Sequence, residues 1–178
     1  EQEARRAMNL EFEKLRTIIG DNIVGMEGAT LEERVHEILT ARGLKLAVAE
    51  SCTGGTIASK FTAIAGASQY FMAGVVSYSN ASKRDILGVS QESLNRYGAV
   101  SEQVAREMAE GVRRIAGADY AIATTGIAGP TGGSDEKPVG TVWMAVATPT
   151  KTIAIMRNSG TDRGQIISRA SAYAIELL

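Results

Sequence analysis

Short apolar runs alternate with capped, amphipathic stretches along most of the 178 residues, and that alternation admits few architectures. Residues 44–49, 72–77 and 120–124 read as strands, each a short apolar run bounded by turn formers. Helical spacing fills the intervals. Thr30 is placed to N-cap the first helix and Glu33 to complete a capping box. Leu31, Val35, Ile38 and Leu39 form its apolar stripe, and Gly43 closes it. Residues 56–65 and 80–87 give two more helices, the second bounded by Gly88. Ser101 caps a long helix that carries Val104, Met108, Val112 and Ile115 and stops at Gly117. Residues 141–147 and 152–156 flank Pro149 as a hairpin, and residues 162–178 make a last helix. Strands alternating with helices predict an α/β protein, a three-layer α/β/α sandwich. The late hairpin makes its sheet mixed, though mostly parallel.

Residues 1–19 read as an N-terminal helical arm. Met8, Phe12, Leu15 and Ile19 fall on one face of a helix, and Gly20 suits its C-cap. Such a helix either packs on its own domain or joins a partner subunit, the second reading predicting a homo-oligomer. Residues 20–28 resemble a linker, so the expected organisation is an arm and linker over 1–29 and one domain over 30–178. Apolar residues make up 44% of the chain but aromatics only 5%, with 19 glycines, so small residues dominate the packing. Lys plus Arg (19) nearly balances Asp plus Glu (20). That balance argues against broad electrostatic binding of nucleic acid or an anionic membrane. One cysteine and one histidine exclude an intramolecular disulfide and make a zinc cluster implausible; no metal and no cofactor are expected. No 18-residue apolar run or signal-peptide core is seen, so a cytoplasmic location is expected. The chain starts at Glu1 rather than Met, as expected where upstream residues have been removed.

Three stretches carry candidate chemistry. Glu50-Ser51-Cys52-Thr53-Gly54-Gly55 ends a buried strand and opens a helix across two glycines. A hydroxyl there can bind an anion at the helix N-terminus or attack a carbonyl whose oxyanion the N–H groups hold. Tight packing and capping alone would also explain such a turn. Ser77-Tyr78-Ser79-Asn80-Ala81-Ser82-Lys83 follows a strand and can face the same sheet edge. It is either a solvated helix start or a source of groups, Lys83 and Tyr78, that activate a serine. A Ser–Lys pair needs a neutral lysine, and lowering a lysine pKa from ~10.4 to ~7.4 takes roughly 4 kcal/mol of desolvation and neighbouring charge. The third stretch, residues 125–139, is a long Gly/Pro loop that suits close backbone approach to an anion but matches neither a Walker A loop nor a dinucleotide fingerprint. A mobile surface loop is the plainer reading.

Taken in order, these segments resemble the C-terminal domain of the competence/damage-inducible protein CinA, the nicotinamide-nucleotide amidase family. The resemblance rests on Ala49 to Gly55, on Ser77-Tyr78-Ser79-Asn80 with Lys83, on Leu87-Gly88-Val89 and on Gly98-Ala99-Val100-Ser101-Glu102. It continues through Thr125-Gly126-Ile127-Ala128-Gly129-Pro130 with Gly132-Gly133, and Lys137-Pro138-Val139-Gly140. It runs from about Thr30 to near the C-terminus. Residues 20–30 also look like the junction that precedes this domain in longer members, whose upstream nucleotide-processing domain is not part of this sequence.

The resemblance implies hydrolysis of nicotinamide mononucleotide to nicotinic acid mononucleotide and ammonia, in pyridine nucleotide salvage, at a Ser–Lys–Tyr site without metal. Ser51 would be the nucleophile, with Lys83 and Tyr78 managing its proton. Thr53, Gly54 and Gly55 after the serine, and Thr125, Gly126, Ala128 and Gly129 in the loop, would bind substrate. Arg163, in the family's Asp-Arg segment, would meet the phosphate. A second family arginine four residues later is replaced here by Ile167, and Arg169 is out of register. Cys52 is the rival nucleophile, better at acyl transfer in principle but without a partnered histidine; His36 lies far upstream. Two other readings stand beside this one: a non-catalytic nucleotide-sensing or protein-interaction module linked to competence and recombination, and a different amidase or nucleotide hydrolase.

Overall fold

The computed structural model describes residues 30–178 and seven earlier residues, Arg6, Met8, Leu10, Glu11, Glu13, Lys14 and Thr17. Those seven are helical, with Met8 and Leu10 exposed. Phe12, Leu15, Ile19 and the 20–28 linker lie outside the described residues, as do the contacts of the expected arm. From Thr30 the order is α1 (Leu31–Arg42), β1 (Leu46–Glu50), α2 (Thr56–Thr62), a 3₁₀ turn (Ala67–Gln69), β2 (Phe71–Val76), α3 (Asn80–Leu87) and α4 (Gln91–Tyr97). Then come α5 (Glu102–Ala116), β3 (Tyr120–Gly126), β4 (Thr141–Ala147), β5 (Thr152–Asn158) and α6 (Arg163–Glu176). None of the described helices is long and apolar enough to cross a membrane.

The helix ends follow local chemistry. Thr30 Oγ1 accepts from the Glu33 N–H while Glu33 accepts from the Thr30 N–H, closing the expected capping box. Ser79 and Ser82 make the same reciprocal pair at the start of α3. Gly43, Gly88 and Gly117 end α1, α3 and α5 in the left-handed region, where a side chain would be strained.

The five strands lie in the order β2-β1-β3-β4-β5. β1 is parallel to β2 and β3, and β4 is antiparallel to both β3 and β5, so β4 alone runs against the other four. Side chains alternate across the sheet. On one face Leu46, Val48, Ile122 and Met144 meet Leu39 of α1, Ile57 and Phe61 of α2 and Ile166 of α6. On the other face Ala47, Ala49, Ala121, Ala123, Ala145 and Ala147 present a floor of methyl groups to Val104, Met108 and Val112 of α5 and to Leu87 and Leu94. Helices on both faces make the three-layer α/β/α sandwich.

Registry places the chemistry. Glu50 stands opposite Val76 on one side and Thr124 on the other. The Ser51 N–H donates to Thr124 O (3.0 Å) and the Ser77 N–H to Glu50 O (2.8 Å). Ser51, Ser77 and Thr125 therefore emerge side by side at the carboxyl edge of the sheet, where open α/β sheets bind ligands.

Some boundaries differ from the sequence-based expectation. Helix α4 was not anticipated: seven residues with Leu94 as the one large buried apolar side chain give too little period to read. β3 runs on to Gly126, because Thr125 and Gly126 pair with Trp143 and Val142, so the glycine loop begins at Ile127. α2 stops at Thr62 rather than residue 65, and β5 extends to Asn158. Ile38 and Ile115 sit at the edges of their stripes and are exposed.

Gly111 of α5 crosses α3 so closely that a Cβ would lie 2.0 Å from Leu87 O, a backbone atom. Gly111→Ala should therefore destabilise the fold by about 3 kcal/mol, the upper end of ordinary overpacking, although alanine favours helix; urea unfolding measures it.

Candidate active site

The site is built outward from Glu50. This carboxylate is fully buried and accepts from the N–H groups of Gly55 (3.0 Å), Ile57 (3.1 Å) and Ala58 (2.8 Å). Helix α2 has no side-chain cap on its N-cap residue Gly55, so Glu50, reaching forward from β1, supplies the acceptors its first turn lacks. A negative charge at a helix N-terminus is electrostatically favoured. The clamp also fixes the intervening turn, Ser51 to Gly55, against the sheet.

Of the roles open to this turn, binding an anion at the N-terminus of α2 is the one its hydrogen bonds do not favour. The Gly55 N–H is spent on Glu50 and the Gly54 N–H on Ser51 O (3.0 Å). The Thr53 hydroxyl is buried against Thr124 Oγ1 at 2.7 Å. None of Thr53, Gly54 and Gly55 lines the cavity described below. Their work is to make the turn: Gly54 and Gly55 hold φ values of +61° and +101°, open to glycine at little cost.

Lys83 lies one turn into α3, and its chain runs back toward the helix start, as helical side chains do. Its Nζ lies 3.0 Å from Ser51 Oγ and donates to Ser77 O at 2.7 Å. Only 2% of Lys83 is exposed, and among the described residues it makes no ion pair with a carboxylate. Burial pushes its pKa below the ordinary lysine range, opposed weakly by the neighbouring Cys52. Cys52 is buried, and desolvation pushes its thiol up to about 12, so it stays protonated at neutral pH. Of the two adjacent residues, the serine has the Lys83 amine within hydrogen-bond distance.

Ser51, Cys52 and Lys83 open onto a cavity of about 350 Å³, within the range of small-molecule sites. Thr125, Gly126, Ala128 and Gly129 line it. Thr125 Oγ1 donates to Ala99 O at 2.7 Å, tying the end of β3 to the segment before α5. Arg163, the first residue of α6, closes the far side; it donates from Nη1 to Gly129 O (2.7 Å) and from Nη2 to the Tyr78 hydroxyl (3.1 Å). Tyr78 lines the cavity but is 61% exposed, and its hydroxyl is held by Arg163, not by Ser51 or Lys83. No hydrogen bond links Tyr78 to Ser51 or Lys83, and the Ser51–Lys83 contact is direct.

Sequence reasoning assigned no role to Asn80, Val100 or Thr131, which also line the cavity, or to Glu50 and the Ser77 carbonyl, which hold the site together. A carbonyl leaves no trace in a sequence, whereas a glutamate ending an apolar strand was a readable signal. His36 is distant, packed edge-on against Tyr70 at 5.3 Å between centroids. No group of three or more His, Cys, Asp or Glu side chains among the described residues is arranged to hold a metal ion.

A three-layer α/β domain with a buried Ser–Lys pair at the carboxyl edge of its sheet, opening on a glycine-lined cavity, is the class that fold and site define. The family model described as the CinA C-terminal domain matches residues 28–178, and the chain belongs to that family. A CinA-like protein of Anaeromyxobacter sp. (strain K) is 47% identical over 175 residues, covering 98% of this chain and 43% of that protein. A CinA-like protein of Shewanella sediminis is 46% identical over 166 residues, covering 93% and 39%. The chain thus spans about two-fifths of the length of these relatives. Among solved structures, the competence/damage inducible protein CihA from Agrobacterium tumefaciens superposes with a TM-score of 0.81 at 43% identity, over 83% of this chain and 90% of that one.

Two outcomes test this environment. Because folding lowers the pKa of Lys83, the folded state binds fewer protons than the unfolded state between that lowered pKa and ~10.4. Wild type should gain stability relative to Lys83→Met as pH rises through this window, by about 1.4 kcal/mol per unit of pKa shift; urea unfolding from pH 6 to 10 reads the difference, and a flat difference contradicts it. Cys52 should react with a thiol reagent at pH 8 on the order of a thousand times more slowly in the folded protein than in urea, from its thiolate fraction.

Proposed function

We propose that this domain is a nicotinamide mononucleotide deamidase, hydrolysing the carboxamide to nicotinic acid mononucleotide and ammonia through a Ser51 acyl-enzyme, in pyridine nucleotide salvage. The observation that carries the reading is the approach of Lys83 Nζ to Ser51 Oγ at 3.0 Å, in a buried pocket that favours the neutral amine. A neutral lysine is a base, and a serine beside it is an activated nucleophile.

The cationic pyridinium ring withdraws electrons from the carboxamide. Ser51 Oγ attacks its carbonyl carbon while its proton passes to Lys83 Nζ. The oxyanion falls to the turn that follows Ser51. Lys83 then returns the proton to the leaving nitrogen, the C–N bond breaks and ammonia departs. Water attacks the ester, giving a proton to Lys83, and the acid leaves as Ser51 takes that proton back. At the opposite wall, Arg163 offers a planar fork to the 5′-phosphate, exchanging its contacts with Gly129 O and Tyr78 for phosphate oxygens.

Ammonia release from nicotinamide mononucleotide should be resistant to chelator and fall by at least about a thousandfold in Ser51→Ala, a loss typical of a nucleophile knockout. Absence of release from the wild type sinks the reading and puts the nucleotide-sensing module in its place. Arg163→Ala should raise KM for the mononucleotide about 10- to 100-fold, the worth of a charged hydrogen bond. It should leave the already poor turnover of nicotinamide riboside, which lacks the phosphate, unchanged.

A further inference from the structure

The Ser51–Lys83 neighbourhood holds one polar group without a partner. Ser77 is fully buried, and its hydroxyl is one of four buried side-chain polar atoms that make no hydrogen bond among the described residues. The other three are His36 Nδ1, Thr40 Oγ1 and Ser159 Oγ; of the four residues, Ser77 is the one whose carbonyl accepts from Lys83. Leaving a buried hydroxyl unpaired is unfavourable, and Ser77 sits where such a group has a use. It follows β2 directly, its N–H is fixed to Glu50 O, and its carbonyl accepts from Lys83 Nζ at 2.7 Å.

The number of donors on Lys83 changes during the proposed reaction. As a neutral amine it has two N–H groups and a lone pair; as an ammonium it has three N–H groups and no lone pair. Two acceptors surround Nζ, Ser51 Oγ and Ser77 O. To take the proton of Ser51 the amine turns its lone pair to that hydroxyl, so one N–H stays on Ser77 O and the other has no acceptor; once the proton has arrived, this N–H belongs to a buried ammonium, the form that most needs a third acceptor. We propose that the Ser77 hydroxyl is a positioning group that rotates to accept this N–H, holding the Lys83 ammonium while the acyl-enzyme forms and breaks down. The hydroxyl belongs to the residue whose carbonyl already accepts from Nζ, so a side-chain rotation is the movement required. The proposal rests on the amidase reading for the moment at which the group is used.

Other charged and titratable groups bear on Lys83 and stay in place in the test. Glu50 lies beneath the turn on β1, Cys52 is beside the amine, and Tyr78 and Arg163 face it across the cavity. Arg114 of α5 donates to Leu87 O at the far end of α3.

The test is Ser77→Ala, with Ser77→Cys as a second variant that retains the volume but offers only a weak acceptor. Three measurements go together: the Lys83 side-chain titration by NMR, the pH profile of ammonia release from nicotinamide mononucleotide, and urea unfolding. Both variants should lower the Lys83 pKa by about half a unit to one unit, because a hydrogen bond to the charged form has been removed. The acid limb of kcat/KM should move to lower pH, and plateau kcat should fall about tenfold with KM unchanged. Ser77→Ala should be as stable as wild type or more so, since it removes an unpaired hydroxyl. An unmoved Lys83 titration with kcat intact overturns the proposal, as does a loss of stability with an unmoved titration, which marks a purely structural serine. A shifted titration in a protein that releases no ammonia leaves the Ser77–Lys83 pairing standing and overturns the amidase reading instead.

Discussion

Burying a lysine without a carboxylate is unfavourable, and most of the structure around Lys83 can be understood as making that arrangement persist beside Ser51. The amine is almost fully buried, and the hydrogen bonds it makes go to Ser51 Oγ and the Ser77 carbonyl. Both acceptors are set by strand registry: β1 and β2 are locked by the Ser77 N–H to Glu50 O bond, and β1 and β3 by the Ser51 N–H to Thr124 O bond. Helix α3 must then start at one defined residue, which the Ser79–Ser82 capping box ensures. Its depth is set by α5, which lies close because the sheet offers alanines and because Gly111 leaves the Leu87 carbonyl room.

Glu50 has a consequence for chemistry as well as for folding. A strand-to-helix turn ordinarily leaves the helix N-terminus free for an anion. Here the carboxylate occupies it, and three of its N–H groups are already spoken for. What remains near Ser51 is the turn itself. Under the proposed function, phosphate recognition falls instead to Arg163 and the glycine loop, which line the same cavity. Separating the reacting end of the cavity from the charged end suits a long substrate with an amide at one terminus and an anion at the other.

Much of this was legible in the sequence, and where it failed the reason is physical. Capping boxes and closing glycines located α1, α3 and α5, because those signals are local. The strand–helix alternation gave the three layers. Ser51 and Lys83 could be nominated, yet that they touch depends on the β1–β2 registry, a long-range property no spacing reveals. Tyr78 was placed in the relay by resemblance, whereas its hydroxyl bonds Arg163, 85 residues away in sequence. Gly54 and Gly55 looked like ligand-binding glycines because the same residues serve tight turns and anion sites alike; Glu50 decides between the two. Helix α4 escaped because one buried leucine makes no pattern.

The central claim is that Ser51, activated directly by Lys83, carries the acyl group during turnover. Acid quenching of the wild-type protein during steady-state reaction with nicotinamide mononucleotide, followed by mass spectrometry of the peptide containing Ser51 and Cys52, tests it most directly. The account predicts the mass of a nicotinoyl-mononucleotide ester on that peptide, fragmentation placing it on Ser51, and its absence from Ser51→Ala. Product formed with no adduct, or an adduct on Cys52, would contradict it.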